Sequence, residues 1–470
     1  MMNSSSKYQI DMCHGPLFSK VILFSIPLMF SNIMQVLFNA IDLVVIGHYA
    51  QHESMAAVGA CGALITLILN FFFGLSVGAN VVTAHCIGAR NRLQTSQAVH
   101  TSMAVAFFGG LLLAAIGICI SKTALTIMDT PVNVLPKSTL YMQIYCAGIP
   151  FIMLYNYGSS ILRAAGDTRR PLIYMILSGT VKVTVNLIFV RFFRMDVAGL
   201  AAATTIANII SATLVIYALT DARDATRLNM KKIRFHAKSF IEILKIGIPA
   251  GIQGSLFALS NVIVQSTINS FGSEAMAGSA ATGSLESIVY VGFNAYYFST
   301  ISFVGQNHGA KKFKRIVKSF FYCLILSVVT ATVLGWSIFL SGNTLLRIYN
   351  PNPEVIKWGM LRLKYLVTTY MLCAVMDVIS GGLRGLGHSL TPMLVTLMGA
   401  CVFRVVWVFW IFPLDPTMEN LLISYPVSWI LVSLVNGIIL YTVVRHLFRD
   451  AARMHHGYGT LPARGMHPGT

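Results

Sequence analysis

The sequence predicts an all-α, polytopic membrane protein with twelve transmembrane helices in two pseudo-symmetric six-helix bundles. Three observations carry that prediction: the chain is too apolar for water, it divides into twelve runs of spanning length, and its halves repeat each other. Of 470 residues, 56% are hydrophobic and only 11% are charged. A soluble domain has about a quarter of its residues charged. Lipid is therefore the solvent that most of this surface requires.

The apolar runs have approximate limits 20–47, 55–84, 97–120, 137–160, 171–193, 197–220, 240–271, 276–304, 316–340, 358–380, 391–412 and 420–446. Each reaches the roughly 20 residues needed to cross the hydrocarbon core. The formal charge of +18 is dispersed in short loops and forms no solvated basic face, so no nucleic acid partner is expected. Loops after even-numbered spans carry Arg90, Arg92, Arg163, Arg169, Arg170, the bases from Arg223 to Lys238, Lys311, Lys312, Lys314, Arg315 and Arg384, and the end carries Arg445, Arg449 and Arg453. Loops after odd-numbered spans carry Lys122, Lys137, Arg194, Arg347 and Lys357. This asymmetry predicts a multi-pass protein of the cell (inner) membrane with both termini cytoplasmic. The N-terminus is polar and does not read as a signal peptide. The end, residues 451–470, is expected to be a disordered tail. The eight cysteines show no metal spacing and lie mostly in apolar runs, where they read as small core residues.

The internal repeat divides the chain into an N-terminal lobe, 1–225, and a C-terminal lobe, 226–450. Ile26-Pro27 matches Ile248-Pro249, and Met55-Ala56 matches Met276-Ala277. Gly88-Ala89-Arg90 matches Gly309-Ala310-Lys311, and Leu162-Arg163, Gly166 and Pro171 match Leu383-Arg384, Gly387 and Pro392. Six spans per copy is an even number, so both copies insert with the same topology about an axis along the membrane normal. The basic linker Asp221–Lys238 joins them as a hinge. Pro27 and Pro249 begin or kink spans 1 and 7, either as ordinary tolerated prolines or, beside Asp42, as a bending point. Arg163 and Arg384 mark duplicated cytoplasmic turns, read as hinge or topology determinants.

Three acids lie deep in spans: Asp42, Glu286 and Asp377. Their repeat partners are Val264, Ile65 and Asn156, so the shared scaffold does not explain them. A charge at that depth costs about 3 kcal/mol or more and usually faces a cavity or a partner. Asp42 shares a helix face with Asn32, Gln35 and Asn39, at spacings of 3, 4 and 3. That stripe reads as a protonatable site with polar neighbours, or as a carboxylate bracing the next helix. Glu286 shares a face with Tyr290, Phe293 and Tyr297, a set suited to an organic cation through charge and cation–π attraction, or to plain aromatic packing. Asp377 shares a face with Tyr370, Cys373 and Ser380. It reads as a cation site or as the ion-pair partner of Arg404. Lys182 and Arg404 are the deep bases. Charge compensation explains both; Arg404 favours a fixed structural pair, whereas a buried Lys changes its protonation readily.

These residues resemble the multidrug and toxic compound extrusion (MATE) transporters from Gly15 to about Phe448. The stretches that carry the resemblance are IPLMFSNIMQVLFNAIDLVVIGHYA, AVGA with GLSVGANVVTAHCIGA, ILRAAGDTRRP, FVGQNHGA and GGLRGLGHSLTP. The resemblance implies export of bulky, often cationic amphiphiles in exchange for H⁺ or Na⁺ by rocker-switch alternating access. The family's first-span acid falls on Asp42, and the tenth-span acid of its sodium-coupled branch falls on Asp377. That branch's seventh-span glutamate falls on Phe257, and the span-5 Asn and Asp of the proton-coupled archaeal type fall on Lys182 and Asn186, all departures.

The sequence thus predicts a secondary antiporter with no cofactor and no metal, acting on small organic cations as a monomer in the bilayer. Asp42, Asn39, Lys182 and Asn186 are the cation-coupling candidates. Gln35, Glu286, Tyr290, Tyr297, Tyr370 and Asp377 are the substrate-binding candidates. H⁺ is the expected coupling ion, because a Lys182 ammonium near Asp42 would oppose Na⁺; Na⁺ is the alternative. A lipid-linked precursor flippase of the same superfamily would need a more basic cleft. A membrane enzyme would need a nucleophile–base pair or metal cluster, and no HExxH or paired-carboxylate motif occurs. The repeat with unshared acids weighs against a receptor or channel, and no GxxxxGK[ST] loop supports an ATP-driven mechanism.

Overall fold

A computed structural model describes residues 8–49, 52–128 and 130–457, and among them the regular structure is entirely helical. The helices are α1 (Leu17–Tyr49), α2 (His52–Gly88), α3 (Arg92–Ile127), α4 (Leu135–Ala147), α5 (Ile149–Ala164), α6 (Arg169–Leu187), α7 (Asp196–Thr220), α8 (Ala237–Asn269), α9 (Ser273–Gly309), α10 (Phe313–Leu340), α11 (Gly342–Tyr349), α12 (Pro353–Leu366), α13 (Tyr370–Gly385), α14 (Leu390–Thr396), α15 (Phe403–Val406) and α16 (Met418–Gly457). Three crossings are composite. Helices α4 and α5 meet at Gly148, α12 and α13 at one 3₁₀ turn (Val367–Thr369), and α14 and α15 at the π-helical turn Leu397–Val402. With α11 a short side helix, these make the twelve predicted crossings.

Ten crossings are long and apolar enough to span by composition alone. The other two have identifiable reasons for falling short. The α4–α5 crossing is interrupted ahead of Pro150, which lacks a backbone N–H and therefore starts a helix well. Helix α9 carries Ser279, Thr282, Glu286, Asn294 and Ser299, and packs against α1, α2, α10, α12 and α13, so protein rather than lipid surrounds much of it. Most helices outrun the apolar limits, because hydropathy marks the hydrocarbon while the helix continues into the interface. The tail is a correction: α16 runs through Gly457, as its alanines, arginines and methionine are good helix formers. Residues 458–470 lie outside the described residues.

We call α1–α7 the N-terminal lobe and α8–α16 the C-terminal lobe, after the internal repeat. The repeat is legible in the backbone: Arg90 and Lys311 both adopt φ 55, and Gly166 and Gly387 adopt φ 92 and φ 91. Pro27 and Pro249 begin neither span; each lies inside a continuous helix, α1 and α8. Arg163 and Arg384 are not in turns. They sit in the last turns of α5 and α13 and point back into the protein, Arg163 stacked 4.9 Å from the Phe298 ring of the opposite lobe. The Asp221–Lys238 linker is docked, with Ala222, Thr226 and Leu228 buried and the Asn229 N–H donating to His100 Nε2 at 3.0 Å.

The lobes meet tightly near the face that holds both described chain ends. A Cβ at Gly74 would lie 2.2 Å from the Gly251 nitrogen, and one at Gly88 would lie 1.9 Å from the Gln306 carbonyl oxygen. Only glycine permits backbones this close. Gln306 Nε2 donates to the Ala164 carbonyl at 2.6 Å, His85 Nε2 to Gly385 at 2.7 Å, and Ser25 and Ser299 hydroxyls meet at 2.7 Å. The N-terminal segment straps this face: Ile10 N–H donates to Gly166 of one lobe, while Met12 carbonyl accepts from Asn307 and Arg315 of the other. Toward the opposite face the lobes part. A Cβ at Gly59, Gly62 or Gly283 would meet nothing within 4 Å. The close contacts between the halves thus lie toward the terminal face.

Candidate functional site

The deep polar residues form one cluster in the N-terminal lobe and separate groups in the C-terminal lobe. In the N-terminal lobe, α1 and α6 pack side by side and place Lys182 Nζ in an ion pair with one carboxylate oxygen of Asp42. Asn186, one turn beyond Lys182, donates from Nδ2 to the other oxygen at 3.2 Å. The 4-residue spacing puts both α6 side chains on one face. The pair retains 11% and 13% side-chain exposure. The Asn186 Oδ1 atom is buried without a partner. Asn39, grouped with Asp42 by spacing, is exposed and is not a partner of the carboxylate among the described residues. Gln35 is half-buried, and Asn32 reaches the Val291 carbonyl across the cleft at 3.2 Å.

The C-terminal lobe separates residues that the sequence grouped. Glu286 on α9 forms a bidentate pair with Arg362 on α12, at 2.7 and 2.9 Å. Arg362 Nη1 also donates to Gln265 Oε1 at 3.3 Å and to Ser279 Oγ. The charge of Glu286 is thus met inside the protein by a permanently protonated base, which replaces the picture of a carboxylate open to cations. Tyr297 is buried with its hydroxyl engaged by Arg384, whose other amine donates to Gln253 at 2.6 Å. Tyr370 packs between Phe293 and Trp429, with ring centroids 5.8 and 5.5 Å away. All three belong to the packed interior of the lobe.

Asp377 is the acid left without a base. It is half-buried and accepts from Asn294 Nδ2 at 3.4 Å, while the same amide lies 3.3 Å from the half-exposed Tyr290 hydroxyl. The expected Asp377–Arg404 pair does not form. Arg404 donates instead to Ser428 at 3.0 Å and Asn261 at 3.2 Å, under the rings of Tyr425 and Phe257. An unpaired carboxylate in a low-dielectric cleft either takes a proton or takes a cation. Asp377 with Tyr290 and Asn294 is thus a polar group in which, among the described residues, the carboxylate forms no ion pair.

Arg362, Asn294, Gln265 and Ser279 escaped the sequence reading. Arg362 sits a few residues inside its span and reads as an interfacial base there. The usable signal was Glu286 itself, an acid in need of a partner. A further pattern has GxSxG spacing, Gly74 to Gly78, the motif of a hydrolase nucleophile. Here it lies in mid-helix on the α2–α8 seam, and Ser76 Oγ donates to the Phe73 carbonyl at 2.8 Å. It makes none of the sharp strand-to-helix turn that exposes such a serine.

Comparison with known proteins bears on both lobes. The MatE family model matches residues 27–188 and again 249–410. A probable multidrug resistance protein of Bacillus subtilis, YpnP, is 26% identical over 396 residues, covering 84% of this chain and 88% of that one. The probable multidrug resistance protein NorM of Thermotoga maritima is 26% identical over 399 residues, covering 82% and 84%. The multidrug export protein MepA of Staphylococcus aureus is 21% identical over 449 residues, covering 94% and 98%. Among solved structures, an outward-facing multidrug resistance transporter superposes with a TM-score of 0.86 at 18% identity, covering 93% of this chain and 98% of that one.

Proposed function

The chain belongs to the MATE family, and from that premise we propose that it exports organic cations and related amphiphiles in exchange for protons. The observation that carries this reading is the asymmetric charge of the cleft: an ion-paired acid in one lobe, Asp42, and an unpaired acid in the other, Asp377. Its relatives' multidrug names support the substrate class. In this reading the terminal face is cytoplasmic, consistent with its bases, and the structure is the outward-open state. Substrate leaves Asp377 and Tyr290 for the outside, and a proton arriving at Asp42 releases Lys182. The lobes then rock about the glycine seam until the terminal face opens.

A proton is favoured over sodium because the ammonium already occupies the place a metal cation would take beside Asp42. Sodium coupling is the second reading, supported by the unpartnered Asn186 Oδ1 next to the carboxylate. Efflux of a fluorescent cation from vesicles under separately imposed proton and sodium gradients distinguishes them. Export driven by the proton gradient alone is the expected result, and export requiring sodium would overturn proton coupling.

Two further outcomes follow from the geometry. Asp377→Asn should weaken transport of monovalent cationic substrates by about tenfold, the factor about 1.4 kcal/mol of lost binding carries, while neutral substrates are spared. Equal loss for both classes at normal expression would make Asp377 structural. The strap gives the second: Cys13 Sγ lies 3.8 Å from Gln306 Oε1, so Gln306→Cys should form a disulfide with Cys13 under oxidation. Transport should stop when the bridge forms and return on reduction. Undiminished transport with the bridge complete would show that this face need not open.

A further inference from the structure

Arg404 is a full positive charge with no acid beside it. The residue is fully buried, at 0% exposure. Among the described residues no carboxylate pairs with it: Glu286 is taken by Arg362, and Asp377 by Asn294. A guanidinium does not escape burial by losing its proton. Three rings share the load, with centroids at 4.1 Å for Tyr425, 5.1 Å for Phe257 and 5.9 Å for Trp429. Ring faces attract a cation but offer its N–H groups no hydrogen-bond acceptor.

The hydrogen-bond inventory is incomplete in the same small region. Nε donates to Ser428 and Nη1 to Asn261, but Nη2 is buried without a partner. The indole Nε1 of Trp429, 2% exposed, is also buried without a partner. Two orphaned donors beside an uncompensated cation call for an acceptor that also carries negative charge. A water molecule would satisfy the donors and leave the charge. The π-helical turns Leu397–Val402 and Trp407–Ile411 flank Arg404 and widen the helix on either side of it.

We propose that the C-terminal lobe holds a small inorganic anion of chloride size, bound by Arg404 and Trp429 between α8, α15 and α16. The complete burial of Arg404 selects a monatomic ion over a bulky carboxylate or phosphate. Bound there, the anion neutralises a fully buried base that has no acid partner among the described residues. The site is independent of which substrate is exported or which ion drives export.

The test uses the full-length protein in nanodiscs, in chloride-free gluconate buffer. Thermal stability is followed as sodium chloride, bromide or gluconate is added at constant ionic strength. Chloride and bromide are expected to raise the melting temperature saturably, by about 3–5 °C, and gluconate to leave it unchanged. Arg404→Gln should abolish the halide response, and Trp429→Phe should shift its midpoint about tenfold higher. If Arg404→Gln does not fold, Trp429→Phe and a bromide-soaked crystal decide, with an anomalous peak expected within hydrogen-bond reach of Arg404 Nη2. No halide-specific rise in the wild type, an undiminished rise in Arg404→Gln, an unchanged midpoint in Trp429→Phe or a crystal with bromide peaks only elsewhere would each overturn the proposal.

Discussion

Proteoliposomes carrying Asp42→Asn are expected to lose proton-driven export by at least about tenfold, with sodium absent throughout. The asparagine keeps the shape of the side chain and can still meet Asn186, but it has no carboxylate for a proton to neutralise. In the wild type, Lys182 is ion-paired with Asp42 and Asn186 donates to its other carboxylate oxygen. Protonation of Asp42 removes the attraction that keeps the ammonium on α1, so the contact between α1 and α6 changes with proton occupancy. That change could bias α1 near Pro27, which lies inside the same helix. Wild-type exchange by Asp42→Asn would sink this mechanism. Lys182→Met is the companion variant. It is expected to alter ion selectivity, with a gain of sodium-driven transport as the clearest sign, because the competing cation is gone. Unchanged selectivity and pH dependence would make Lys182 scaffold.

Arg362→Met is expected to lower the melting temperature by on the order of 10 °C, from about 3–5 kcal/mol lost when one partner of a buried ion pair is removed. The pair is side-chain buried at 10% and 9% exposure, and its guanidinium also organises Gln265 and Ser279. The loss comes from leaving the Glu286 carboxylate buried without its base, so the double variant Glu286→Gln/Arg362→Met should recover most of it. Such recovery, with transport of cations intact, would assign Glu286 to architecture. Full stability of Arg362→Met would show instead that Glu286 is readily solvated from the cleft and is again open to a cationic substrate.

The residues that decide these two experiments differ in how far they could be foreseen. Asp42 and Lys182 were legible as partners because each is a lone opposite charge within the same six-span lobe. Burial of both in lipid leaves few alternatives to meeting each other. Glu286 and Asp377 were legible as unshared acids, but their partners were not. Arg404 looked like the natural mate of Asp377, and in the folded lobe each bonds to other groups.

What the sequence determined by itself was the solvent, the number of crossings, the duplication and the set of buried charges. All of these follow from local hydropathy and from a pattern repeated at a nearly fixed distance along the chain. The tertiary structure alone decided which charges meet, because pairing depends on how each helix is rotated and on which helices are neighbours. Linear spacing places Glu286 and Arg362 76 residues apart and carries no trace of their two parallel hydrogen bonds. The same holds for the glycine seam, where Gly88 is an unremarkable small residue until Gln306 of the other lobe arrives against it. A transmembrane helix satisfies its own backbone internally, so its sequence specifies that it crosses. The face it turns to its neighbours is settled only when the twelve crossings pack together.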